Sequence, residues 1–518
     1  MRHGSANCAD PWHPFFERWA PAGAVLLLLG VSLVVVWGVR YLPMQDYPQN
    51  LFQAKLTGEV LSGHGVGVVE GEVYGVHVKA TYSVFFLVVW VCEWVMPLWA
   101  AGKCAVSLYF VLTAAAAWRL MRFTGREGRP GWGALLLFPA TFNPIYYLGF
   151  LHFLYAMPLL VMALLHLLET AESGWSARRV MVQGLWLGLL LCVHPFAVVM
   201  YGLAAGTWAL LSVREGKRWR RLGVGLAMAA GVGGAWAVVG WLGKPGAVSG
   251  QGIYFQPMAK CAEFAVDLFV GLGGVGHPDW VSAALWCGCV GMVVWAGLQR
   301  GVVDRRLMRD AVAAAMVMFA GVCFLPFGTT NASYLNVRMA LGVYLLLAMA
   351  AGVVRLSGWR VVAILCATVL LDANAFAAQR RISGEVAEIE PMVAAMEGGA
   401  RVLPLLFDRD AAGTDGYFFS LHLNDHFYYQ VEKGGVSPYL LEAPREGRAP
   451  VFFRTGMQPA APRAYFPTDF RWETYGAGYR YFLVRGGNES VYRYMERGAT
   501  LRISSGKWRL YERRMNGA

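Results

Sequence analysis

Charge is what this chain has least of. Only 15% of its 518 residues are Asp, Glu, Lys or Arg, against about 25% in soluble domains. That shortage excludes an ordinary soluble protein. Acid is the scarcer sign: 33 Asp and Glu stand against 45 Lys and Arg, a formal net charge of +12 with a pI near 9.3. The basic excess does not point to nucleic acid, because Lys and Arg cluster in short loops between apolar runs, as the positive-inside rule requires. Cysteine is sparse and stops early, with nine residues and none beyond Cys366. Cys287 and Cys289, two apart on a predicted helix, point to different faces, so they offer neither a zinc site nor a disulfide. The chain has no glycine-rich phosphate loop ending in lysine, no HExxH and no internal repeat. Its first apolar run, from Pro21 to Val39, is too long for a signal peptide and has no small-residue cleavage site, so it is expected to stay as a membrane anchor.

What the chain has is apolar length. Hydrophobic residues make up 57% and mean hydropathy is +0.43. Runs long enough for a hydrocarbon core of about 30 Å stand near 21–41, 98–118, 131–149, 151–168, 180–198, 199–213, 222–242, 281–298, 311–327, 336–353 and 359–376. A twelfth run, 79–97, is apolar enough but carries Glu93. A charge at the bilayer centre costs roughly 2.5–3.5 kcal/mol on insertion scales. Leaving 79–97 on the membrane surface also places every strongly basic loop on one side: Arg119 to Arg129, Arg178/Arg179, Arg214 to Arg221, Arg300 to Arg309 and Arg355/Arg360. The reading is an α-helical polytopic membrane protein of about eleven spans, with a cytoplasmic N-terminus (1–20), a transmembrane region (21–376) with a large first outer loop (42–97), and an extracytoplasmic α/β domain (377–518). That domain holds β-like runs at Arg401–Phe407, Tyr479–Val484 and Trp508–Tyr511 and a predicted helix from Ser383 to Met396.

The outer side collects the chemistry-bearing groups. Asp46, in Met44-Gln-Asp46-Tyr-Pro48-Gln49, follows the first span directly. Its spacing to Pro48 and Gln49 fits a helix N-cap with a capping box, and its position fits a catalytic acid at the membrane surface; the two roles are compatible. Arg338 enters an apolar run, where an arginine pairs, lines a cavity or snorkels, and it could bind a lipid phosphate in bidentate fashion. His152 and His194 lie near span ends, and a lone histidine there serves helix contacts as readily as ligands. Glu93, Lys260 and Tyr254 are further candidates for substrate contact on that side. His422 and His426 have metal-like spacing, but their aromatic and glycine-rich surroundings favour a loop, and no metal site is assigned.

An outward first helix, an acid in a large first outer loop, a membrane-hugging run at 79–97, many spans and a C-terminal outer domain together resemble the GT-C class of membrane glycosyltransferases. That class includes oligosaccharyltransferases, protein O-mannosyltransferases and the aminoarabinose transferase of lipid A. The resemblance is architectural, covers roughly residues 20–376 and carries over one position, Asp46. It implies a multi-pass transferase of the bacterial cytoplasmic membrane that takes a sugar from a polyprenyl-phosphate carrier and passes it to a glycan, lipid or protein acceptor at the outer face, with Asp46 as general base. Many members have adjacent acids in the first loop where this chain has Asp46 alone, so neither a divalent metal nor another cofactor is implied. A non-catalytic transport or assembly subunit that handles a lipid-linked or polymeric glycan would use the same cavity and Arg338. Topology is directly testable: reporter fusions after Arg129, Arg221 and Arg309 should report cytoplasm and a C-terminal fusion the outside, and a cytoplasmic C-terminus would overturn the eleven-span reading.

Overall fold

The computed structural model describes residues 13–65, 67–78, 81–125, 130–212, 255–257, 259–260, 266, 279–299, 301–329, 332–414, 419–440, 450–464 and 466–514. Eight helices among them are long and apolar enough to cross a membrane: Trp19–Trp37, Leu98–Thr124, Leu151–Ser173, Pro195–Ser212, Trp280–Leu298, Arg305–Phe324, Leu335–Gly352 and one beginning at Gly358. The expected span 180–198 is the 17-residue helix Ala177–Val193. It breaks at His194 rather than at 198, because Pro195 has no N–H and opens the next helix. The expected span 222–242 lies outside the described residues, as does most of the loop 243–280.

The run 131–149 is not a membrane helix, and this corrects the sequence reading. It forms a 3-10 stretch at Trp132–Leu137, two turns, and the one-turn helix Pro144–Leu148. Pro139 and Pro144 lack N–H groups and bias the residues before them away from helix. The segment nevertheless runs the length of the bundle. At one end the Gly131 N–H donates to Met121 O, and Gly133 lies directly against the Ala351 backbone. At the other, the Tyr147 and Leu148 carbonyls accept from the Gln45 and Asp46 N–H groups at 2.8 and 3.1 Å. Non-helical backbone at membrane depth is tolerated only inside protein, and residues 133–149 are buried throughout.

The run 79–97 gives only the ten-residue helix Val84–Glu93, about 15 Å long at 1.5 Å per residue, too short to span. The last long helix does not stop at 376. It continues as Gly358–Ala387, so the predicted helix 383–396 is its final turn followed by Glu390–Ala395. Inside the bundle this helix is tied to the first one, where Ser32 Oγ donates to Asp372 Oδ2 at 2.9 Å.

Beyond it lies a four-stranded sheet in the order Val402–Leu406, Tyr481–Arg485, Trp508–Arg513, Ala499–Ser505, parallel for the first pair and antiparallel after it. Alternation sorts its side chains into two cores. Val402, Leu406, Tyr481, Leu483 and Leu510 pack with Met392, Tyr428 and Tyr41, the last at the end of the first span. Leu403, Phe482, Val484 and Tyr511 pack with Phe470 and Met495 on the other face. The first loop joins this body: Tyr74–Val76 pairs antiparallel with Val451–Phe453, and Lys55 Nζ donates to the Val431 carbonyl at 3.0 Å.

A buried ionic network fixes the sheet to the end of the last long helix. Fully buried Arg485 contacts Asp408 at 3.1 Å and Glu385 at 3.6 Å. His422 bridges Asp425 at 2.6 Å and Glu385 at 3.3 Å. Burial works against the His422 imidazolium, but Asp425 and Glu385 outweigh it and hold its pKa above the ordinary value. A group whose pKa is raised on folding contributes stability that is complete below its unfolded value, about 6.5, and is lost as pH rises through the folded value. The thermal midpoint in detergent should therefore fall as pH rises above neutrality, and His422→Asn should flatten that dependence. An equally steep fall in the variant would assign it elsewhere.

Candidate active site

Asp46 sits at the N-cap position of the helix Tyr47–Leu61 with φ −95° and ψ −4°, but its carboxylate makes no capping hydrogen bond. The expected capping box does not form. Held by the carbonyls of Tyr147 and Leu148, the backbone turns the side chain toward the C-terminal region instead. Oδ1 accepts from Asn424 Nδ2 at 3.0 Å and from Gln45 Nε2 at 3.2 Å, while Gln45 Oε1 accepts from the Ser420 N–H at 2.8 Å. Asp46 is only 3% exposed. The structure therefore holds a carboxylate at the junction of the first loop, the buried crossing and the segment 419–426.

Gly149, in the left-handed conformation at φ 79°, ends the one-turn helix beside Asp46 and turns the chain into Phe150. Here the second half of the site begins. Arg338, in the first turn of Leu335–Gly352, places its guanidinium 4.7 Å from the Phe150 ring centre and 5.6 Å from that of Phe153, cation–π distances. Its Nη1 lies 3.0 Å from His194 Nε2. His194 Nδ1 accepts the Phe196 N–H at 3.2 Å, one of the donors left over at the start of the Pro195–Ser212 helix. Arg338 and His194 thus sit within hydrogen-bond distance of one another, a guanidinium and an imidazole side by side among aromatic rings.

His152 completes the cluster from the Leu151–Ser173 helix. Tyr82, at φ 58°, sets its ring edge-on to His194 at 5.0 Å and to His152 at 6.1 Å, and Phe86 lies 5.3 Å from His152. Thus Arg338, His194 and His152 come together. Glu93 does not join them: it lies seven residues, about 10 Å of helix, beyond Phe86, next to Gly58. Burial and neighbouring Glu59 raise its pKa. Lys260 is half-exposed, with its N–H donating to Pro257 O, and Tyr254 lies outside the described residues. His426 is 2% exposed, and burial pushes its pKa down to about 3, so it is neutral. Among the described residues no three His, Cys, Asp or Glu side chains gather as a metal site.

No family model and no curated protein matches the chain. Among solved structures, ArnT from Cupriavidus metallidurans in the apo state is similar with a TM-score of 0.56, covering 95% of this chain and 98% of that one at 11% identity. The chain has the GT-C fold. At that identity the likeness carries the architecture, and the chemistry rests on this chain's own residues.

Within this GT-C fold, Gln45, Asn424, Tyr82, Phe150 and Phe153 take part in the site, and the sequence reading had assigned none of them a role. Asn424 lies between His422 and His426 in the sequence, a position that names no partner. The aromatic partners of Arg338 come from residues 82, 150 and 153, and one chain gives no means of matching them to position 338.

Proposed function

We propose that this chain is a membrane glycosyltransferase that moves a sugar from a polyprenyl-phosphate carrier to an acceptor at the outer face of the membrane. The observation that carries this reading is the Arg338 guanidinium, held against Phe150 and Phe153 beside His194 and set on the same turn-linked frame as Asp46 in a GT-C fold. A carrier phosphate oxygen accepts a charge-assisted hydrogen bond from the Arg338 guanidinium, with His194 beside it. Phe150 and Phe153 hold the guanidinium in place. The acceptor hydroxyl attacks the anomeric carbon, its proton passes to Asp46, the bond from that carbon to the phosphate oxygen breaks, and the carrier phosphate leaves with the bonding electrons toward Arg338. Because Asn424 occupies Asp46 Oδ1, the segment 419–426 withdraws for the acceptor to bind. Lys260 and Tyr254 belong to the long loop 243–280 that closes over the carrier in this reading, and neither a metal nor a cofactor takes part.

The burial of Asp46 favours a second reading, in which the carboxylate only welds the first loop to the C-terminal region of a glycan-handling subunit. Asp46→Asn separates the two. As a base, Asp46 contributes about 10²–10⁴ in rate, so the variant should keep its expression and lipid binding and lose at least a hundred-fold in transfer. Asp46→Ala should add a stability loss of roughly 1–3 kcal/mol, because it strands the buried amide donors of Asn424 and Gln45. Full transfer by Asp46→Asn would leave the carboxylate purely structural. Arg338→Ala should weaken carrier binding by about ten- to hundred-fold, the value of a charge-assisted hydrogen bond; unchanged binding measured with the purified carrier lipid would remove Arg338 from the site.

A further inference from the structure

His422 meets a carboxylate at each ring nitrogen. Nδ1 lies 2.6 Å from Asp425 Oδ2, and Nε2 lies 3.3 Å from Glu385 Oε2. An ionised carboxylate only accepts and a neutral imidazole has one N–H, so both bonds form together only in the imidazolium. The two ties are unequal. Asp425 belongs to the same short segment as His422, whereas Glu385 sits in the last long helix. Glu385 also has other partners, the Ala412 N–H at 3.2 Å and Arg485 at 3.6 Å. A neutral His422 therefore keeps the shorter bond to Asp425 and gives up the longer one to Glu385. With it goes the histidine's tie between segment and helix.

What that segment covers is Asp46. Asn424 donates to Asp46 Oδ1 at 3.0 Å, and the Ser420 N–H donates to Gln45 Oε1 at 2.8 Å. Asn424 thus fills a place on the carboxylate that an acceptor hydroxyl needs. The charged groups facing His422 come from three elements: Asp425 from its own segment, Glu385 from the long helix and Arg485 from the strand Tyr481–Arg485. Arg485 opposes the imidazolium but is itself paired with Asp408 at 3.1 Å, and the two carboxylates prevail. The first loop presents Asp46 to the same segment.

We infer that His422 is a proton-operated latch: its protonation holds 419–426 over Asp46, and its deprotonation lets the segment withdraw. The latch is closed below the ordinary histidine value of about 6.5 and opens on the alkaline side of it, as pH rises through the raised value in the folded protein. Only the meaning of the uncovered carboxylate, an acceptor site, rests on the proposed sugar transfer.

Hydrogen–deuterium exchange of the full-length protein in detergent tests the latch, with rates expressed as protection factors at pH steps from below to well above about 6.5. The amides of 419–426 should lose protection by about ten- to hundred-fold as pH rises, the worth of one charge-assisted hydrogen bond. Those of Tyr481–Arg485 should change far less. His422→Asn should show low protection of the segment at every pH. Glu385→Gln supplies an amide that can donate to a neutral Nε2, so protection should stay high throughout; this variant decides the question if His422→Asn fails to fold. Constant protection in the wild type, a loss shared equally by Tyr481–Arg485, or a wild-type pH response in either variant would each overturn the latch. None of these readouts depends on sugar transfer, so absent transfer with a working latch would count against the proposed activity alone.

Discussion

The constraint on which the rest depends is the need to satisfy backbone polar groups where water is absent. The buried crossing 131–149 breaks the usual solution, because it is not a continuous helix. It survives by being enclosed. Asn143 caps its last turn, accepting the Ile145 and Tyr146 N–H groups at 2.8 and 3.2 Å, the Tyr344 hydroxyl takes up the Leu136 carbonyl, and its final carbonyls accept from Gln45 and Asp46. The irregular segment thereby becomes the frame of the site. Its last two carbonyls orient Asp46, and Gly149 turns Phe150 beneath Arg338.

The two halves of the site differ in kind. Around Arg338 the protein sets a guanidinium against two aromatic faces and a histidine ring. Around Asp46 it supplies amide donors to a carboxylate, sealed by Asn424. The seal is coupled to the C-terminal network, since Asp425, next to Asn424, is the acid that pairs with His422, and His422 in turn meets Glu385 on the last long helix. The position of the segment over Asp46 is thus tied by short contacts to the sheet and to the helix that carries it.

The opposite end of the bundle follows another logic. There the helix ends enclose a cavity lined by apolar and aromatic side chains such as Phe123, Leu168, Tyr201 and Trp208.

The sequence by itself determined the class of the protein and most of its helices. Apolar length and the scarcity of charge are one-dimensional signals, and the bilayer imposes them on every span separately. Short β-like apolar runs likewise made three of the four C-terminal strands legible, leaving Ala499–Ser505, which is largely exposed. Asp46, Arg338, His152 and His194 stood out because a polar group at the edge of an apolar run is rare. The sequence reading gave 131–149 as a helix, because hydropathy measures transfer free energy and is blind to backbone geometry; two prolines and an enclosing bundle decided otherwise. Only the tertiary structure decided that Asp46 faces Asn424 rather than capping its own helix, and that Arg338 meets His194 between Phe150 and Phe153. Those contacts join residues 144 to 378 positions apart, and the burial that makes them exists only once the chain has closed around them.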